Sequence, residues 1–144
     1  MKSFVLIGFA CIGLSCTRQS QDQVVIESKI PFRTLIQDAA TFRFEKPWTF
    51  VIRSKQDEDG FMKTSLANRS LPVVDYEKDM IICLLAGRRT DSTSSVTIDS
   101  IMQKPTALKM YSHISASGGG GGFFPAHIVA LPRIDKGVEF DAYP

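Results

Sequence analysis

The stretch LPVVDYEKDMIICLLAGRRTDSTSSVTIDSI, residues 71–101, decides the fold. Its centre, Met80 to Ala86, is apolar on both faces, bounded by Lys78-Asp79 before it and Gly87-Arg88-Arg89 after it. Periodicity alone allows a buried helix segment, but so short a run, flanked by charge and a turn glycine, favours a central strand buried from both sides. A polar turn opened by Gly87 follows, and a second strand starts near Val96. The two are expected to form the central pair of a β core.

Working outward, the flanks repeat the pattern of short strands and turn signals. Val24 to Ile30 reads as an edge strand limited by Pro31, since proline cannot donate to a ladder. Thr41 to Glu45 alternates polar and aromatic residues, which predicts a half-buried strand with Phe42 and Phe44 facing the core. Trp48 to Arg53 is aromatic and β-branched, a further strand. Ser54, with Asp57 three places on, is an N-cap signature, and Met62 and Leu66 mark one face of a short helix in which Gly60 costs about 1 kcal/mol relative to alanine. The acidic run Asp57-Glu58-Asp59 lacks the alternate spacing and distal glutamate of a calcium loop and reads as a solvated helix face. After Lys104-Pro105, residues 107–116 alternate again, with Leu108, Met110 and Ile114 on one face and Lys109, Tyr111 and His113 on the other. His127 to Leu131 and Val138 to Tyr143 supply the last two strands, the latter aligning Val138, Phe140 and Ala142. The expected fold is therefore mainly β, an antiparallel sandwich or partly open barrel with one short helix, formed by a single domain over residues 24–144.

The N-terminus carries an address. Lys2 precedes an apolar core, Phe4 to Leu14, that is short for a bilayer span and has the pattern of a secretory signal peptide over residues 1–15. It ends in Gly13-Leu14-Ser15-Cys16, which resembles the lipobox of bacterial lipoproteins, although that motif prefers leucine where Gly13 stands. The resemblance implies lipid attachment at Cys16; an ordinary signal peptide and an uncleaved anchor are the other meanings of such a segment. Cys11 is a poorer acceptor because cleavage there would halve the apolar core. Residues 16–23 are polar and aperiodic, a tether. With Cys11 removed and Cys16 acylated, Cys83 has no disulfide partner, and its place in the apolar strand predicts a buried, inert thiol. The formal charge of +2 falls to +1 without Lys2, which leaves no electrostatic footprint for nucleic acid.

The second half resembles the C-terminal domain of the protease complex subunit PrcB family. The likeness rests on Leu71-Pro72, Val74-Asp75-Tyr76, Lys78 to Ile81, Gly87, the strand from Ser95 to Ile101, and Pro125 to Arg133 without position 130. It covers roughly residues 74–140, with weaker likeness over 30–61. Where family members continue the central glycine into Thr-Gly-Gly-Tyr, this chain has Arg88 to Thr93, and its glycines stand later, at 118–122. The resemblance implies a non-catalytic, secreted or lipid-anchored domain of the bacterial cell envelope, periplasmic or surface-facing, whose partner is an envelope protein or protease complex. It supplies no active site and no cofactor.

Among local features, the run Gly118, Gly119, Gly120, Gly121 and Gly122 followed by Phe123-Phe124-Pro125 is the most conspicuous. It is no phosphate loop, because no Lys-Ser/Thr and helix follow. Either it is a flexible hairpin tip, with Phe123 and Phe124 closing the core, or it presents two aromatics to a partner. Arg88 and Arg89 open a polar loop suited to an anion or glycan, or simply a solvated connection. His113 and His127 lie on strands that would pair across the glycine loop, where a zinc site would need a third ligand that the spacing does not provide. No Gly-x-Ser-x-Gly elbow is present. Protein or peptide binding is the leading expectation. A small-ligand or carbohydrate site on Trp48, Tyr111 and the arginine loop is the alternative, and a hydrolase or metal enzyme on the histidines is the third.

Overall fold

The computed structural model describes residues 27–140 apart from 39–40, 66, 68–69, 92–94 and 116–119. The leader, Cys16, the tether, Leu66, Gly118, Gly119 and Ala142 lie outside the described residues. In chain order the elements are β1 (Ser28–Lys29), β2 (Arg33–Asp38), β3 (Trp48–Ile52), α1 (Lys55–Thr64), β4 (Asp79–Leu85), β5 (Arg89–Asp91), β6 (Ser95–Gln103), β7 (Ala107–Ser115), β8 (Gly120–Phe123), β9 (Ala126–Pro132) and β10 (Gly137–Phe140). They form a four-stranded sheet I in the order β1, β6, β7, β10 and a four-stranded sheet II in the order β2, β9, β4, β3. A two-stranded ribbon, β5 with β8, stands apart from both. The protein is thus mainly β, a sandwich of two sheets with one helix, and neither sheet closes into a barrel.

Alternation along β4 makes sheet II the middle of three layers. Met80, Ile82 and Leu84 join Val129 and Leu131 of β9 in a core shared with Val96, Ile98, Ile101, Leu108 and Met110 of sheet I. Ile81, Cys83 and Leu85 point the other way, into a second core with Ile36, Ile52, Ile128, Phe42 and Phe61. A strand covered from both sides must be apolar throughout, as this one is. Phe61 is the hub of the second core, 5.3 Å from Phe42, 5.6 Å from Phe50 and 6.2 Å from Phe44 between ring centroids. The helix that carries it starts as its sequence dictates. The Ser54 hydroxyl accepts from the Asp57 amide at 3.1 Å, while the Asp57 carboxylate accepts from the Arg53 amide at 3.0 Å.

Several sequence expectations are corrected. The apolar strand and the one after Gly87 are not a pair: both edges of β4 are occupied, by β3 and β9, and β6 pairs with β7 in the facing sheet. Hydrophobic pattern assigns a face, not a neighbour. Residues 41–45 form no strand, although Phe42 and Phe44 do pack against the second core. Arg33–Asp38 is a strand that the weak alternation of its residues hid. Of the expected first strand, residues 24–26 lie outside the described residues and Ser28–Lys29 form β1; β10 runs parallel to β7, an exception to the antiparallel pairing of the other strands. The helix is seated by Phe61, with Met62 partly buried. Its acidic run is only in part solvated, because Glu58 is buried.

Candidate functional site

One end of the sandwich gathers the arginine pair, the glycine strand and an aromatic corner. β4 ends at Gly87, whose φ of +73° is left-handed, a conformation nearly free to glycine alone. The turn is also crowded: a Cβ on Gly87 would sit 2.7 Å from the carbonyl carbon of Lys46 and 2.7 Å from the nitrogen of Pro47. The Arg88 amide then donates to the Glu45 carbonyl at 3.2 Å, and the Arg88 guanidinium lies 4.0 Å from the Glu45 carboxylate. These contacts fasten the start of β5 to the corner before β3. The Ala86 amide donates to the Pro125 carbonyl at 2.9 Å, which fastens the end of β8 to the same place.

Above those fastenings β5 and β8 pair antiparallel, Arg89 opposite Phe123 and Asp91 opposite Gly120, with a register shift between them. Gly120, Gly121 and Gly122 are therefore strand residues and not a hairpin tip; the partner strand supplies the order that glycine lacks by itself. Phe123 and Phe124 are half-buried, Arg88 is exposed and Arg89 half-buried. Next to Pro47 at this corner Trp48, 39% exposed, packs edge-on against Phe44 at 5.1 Å and Phe50 at 5.6 Å. Rings thus run from Phe61 in the core to Trp48 at the surface.

The histidines are not brought together. β7 and β9 belong to different sheets, and the ladder imagined across the glycine loop does not exist. His113 is exposed on the outer face of sheet I, its Nδ1 2.9 Å from each oxygen of Asp99. His127 points into the space between the sheets with 2% of its surface exposed. Its Nδ1 accepts from the Ile98 amide at 2.8 Å and its Nε2 lies 2.9 Å from the Thr34 hydroxyl. Burial holds the imidazole below its ordinary pKa, with Asp99 pulling weakly the other way. Among the described residues no group of three histidine, cysteine or carboxylate side chains is placed to hold a metal ion.

Other chemistry-bearing groups are committed to packing. Cys83 is fully buried against the helix layer, and burial alone pushes its thiol well above the ordinary range. A cleft of about 490 Å³ lies between α1 and residues 70–76. Its polar groups satisfy one another: the Tyr76 hydroxyl donates to one Glu58 oxygen at 2.8 Å and the Lys55 ammonium to the other at 2.8 Å. Burial, reinforced by that carboxylate, drives the Tyr76 phenol far above its usual range. Trp48 and Tyr111 do not share a surface. Trp48 lies with Phe50 on the helix side of sheet II, whereas Tyr111, with Lys109 4.9 Å from its ring centre, lies on the outer face of sheet I.

The fold and this end of it define a three-layer β-sandwich with a glycine-stranded ribbon. No family model, curated protein or solved structure matches the chain.

Proposed function

We propose that the chain is a non-catalytic, lipid-anchored domain of the bacterial cell envelope that binds an extended segment of another protein along the β5–β8 ribbon. The observation that carries this reading is the ribbon itself. Its two strands pair only with each other among the described residues, so each offers an outer edge of main-chain donors and acceptors. Exposed edges of that kind are templates for strand addition. Three successive glycines in β8 place no side chain in the way of an approaching backbone. At the corner on which the ribbon is mounted, Arg88 and the exposed Trp48 supply a positive charge and an apolar surface as points of selection, for an acidic and an apolar residue respectively.

The resemblance of residues 74–140 to PrcB supports a partner in the envelope, of the kind found in a protease complex. The lipobox-like Gly13 to Cys16 supports attachment through Cys16. The test uses the full-length protein as bait in an envelope extract, beside Gly121→Pro, which removes one ladder donor from β8. Wild type is expected to retain specific partners that Gly121→Pro loses while keeping its thermal transition; equal recovery would overturn the ribbon reading. Cys16→Ala is expected to leave the membrane fraction and to lose lipid label, and unchanged acylation would overturn the anchor.

A further inference from the structure

His127 occupies a position from which one ring joins three strands. It stands on β9, reaches Thr34 on the neighbouring β2, and crosses between the sheets to Ile98 on β6. An amide N–H only donates, so the 2.8 Å contact from Ile98 requires a bare Nδ1. The single ring proton is then on Nε2, which donates to the Thr34 hydroxyl at 2.9 Å. The imidazole is neutral, in one tautomer. The Ile98 amide is available for this contact because the β6–β7 register shifts between Ile98 and Ser100.

A second proton has only one place to go, Nδ1, and there it would set N–H against N–H. The Ile98 contact would be lost, a buried amide would be left without its acceptor, and a cation would stand between two apolar layers. Charged neighbours do little to offset this. β6 contributes Asp99, which is already held by His113 of β7; β2 contributes the neutral Thr34 and Gln37, and β4 the apolar Leu84.

The position in the chain gives the contact its reach. β5 runs through residues 92–94 into β6, three positions before Ile98 begins its turn inward; β8 runs through Phe124 and Pro125 into β9, where His127 is the second residue. The ring therefore ties together the two strands from which the ribbon springs. We propose that His127 is a proton-operated strut: a proton on Nδ1 breaks its bond to Ile98, parts β6 from β9 at the base of the ribbon, and releases the segment held there. The release step rests on the ribbon reading above, whereas the opening of the strut stands on the hydrogen bonds alone.

The test compares hydrogen exchange at pH 7.5 and pH 5.5, corrected for intrinsic rates, in the wild-type protein and in His127→Gln. Glutamine retains one acceptor and one donor but does not titrate. The opened state has the ordinary histidine pKa of 6.5, and its proton favours opening by at most about 10-fold one unit below that value. Protection of the Ile98 amide and of residues 120–123 is expected to fall in wild type, by up to about 10-fold, and to stay level in His127→Gln. Equal protection at the two pH values in wild type, or an equal fall in the variant, would overturn the strut. Carbon and nitrogen shifts of the wild-type ring give a measure that needs no variant: a neutral Nε2–H tautomer is expected at pH 7.5, and an imidazolium or an Nδ1–H tautomer there would overturn it. In a third arm, partners captured from envelope extract at pH 7.5 are washed at pH 5.5. Elution from wild type and retention on His127→Gln supports the coupling. Loss of protection with partners still bound would overturn the placement of the partner on the ribbon and leave the strut standing.

Discussion

Substitution of Gly87 by alanine tests the corner on which the ribbon is mounted. Two costs arise. At φ +73° an alanine pays the left-handed penalty, about 1–2 kcal/mol. Its Cβ would also lie 2.7 Å from two main-chain atoms of Lys46-Pro47 and 3.0 Å from Pro47 Cδ, and no side-chain rotamer relieves a clash with backbone. Displacement of such a segment costs roughly 1–3 kcal/mol by analogy with overpacked cores. The sum is about 2–5 kcal/mol, which in a domain of this size lowers the melting temperature by roughly 10–20 °C. Urea denaturation followed by Trp48 fluorescence measures it, with an unchanged slope as the sign that only stability moved. Gly60→Ala is the control: Gly60 lies inside α1 with nothing within 4 Å of the added carbon, so alanine there should stabilise by about 0.5–1 kcal/mol. A Gly87→Ala protein within about 0.5 kcal/mol of wild type would refute the claim that this turn needs a glycine.

Three further outcomes are expected. Because the folded-state pKa of His127 lies below the unfolded value of 6.5, the unfolded chain binds the extra proton first; the contribution to stability is complete above about pH 6.5 and declines as pH falls towards the folded pKa, by up to about 1.4 kcal/mol per unit. The difference between wild type and His127→Gln in urea melts from pH 8 to pH 5 reads this, and a flat difference would refute it. Cys83, fully buried, should react with a thiol reagent at pH 8 only at the rate of unfolding, so immediate labelling in the native protein would refute its burial between β4 and the helix layer. Phe61→Ala removes the ring shared by Phe42, Phe44 and Phe50 and should cost about 3–5 kcal/mol with an altered Trp48 emission; a loss below about 1 kcal/mol would show that the helix is not a packed layer.

The sequence was most legible where one residue's surroundings are local. Ser54 and Asp57 announce the helix start because the contacts they make span three and four residues. Residues 80–86 announce burial on both faces because every position is apolar. What the pattern withholds is the identity of the neighbour: proximity in sequence suggests β6 beside β4, whereas the edges of β4 belong to β3 and β9. The glycine run shows the same limit in reverse. By itself it reads as loose chain, and only β5, thirty positions earlier in the sequence order of elements, turns it into a strand. At the candidate site the arginines and the glycines each stand out in the sequence, but nothing local announces their pairing. His127 carried a usable signal: in residues 126–131 it is the only polar side chain in a run buried throughout, and a polar group so placed needs partners. Alternation puts His113 on the polar face with Lys109 and Tyr111, and there it is exposed and hydrogen-bonded to Asp99.

The pairing of β2 with β9 has a consequence in time. Thr34 and His127 stand 93 positions apart, and β9 is the strand to which both β2 and β4 are zipped. During synthesis β3 can meet β4, and β6 can meet β7, as soon as each pair has emerged. Sheet II has no middle until residues 126–132 arrive. Closing so long a loop is slow, in the millisecond-to-second range of β-rich domains. Until that strand arrives β4 has a partner, β3, along one edge only, so sheet II stays half built while β6 and β7 of the facing sheet can already be paired.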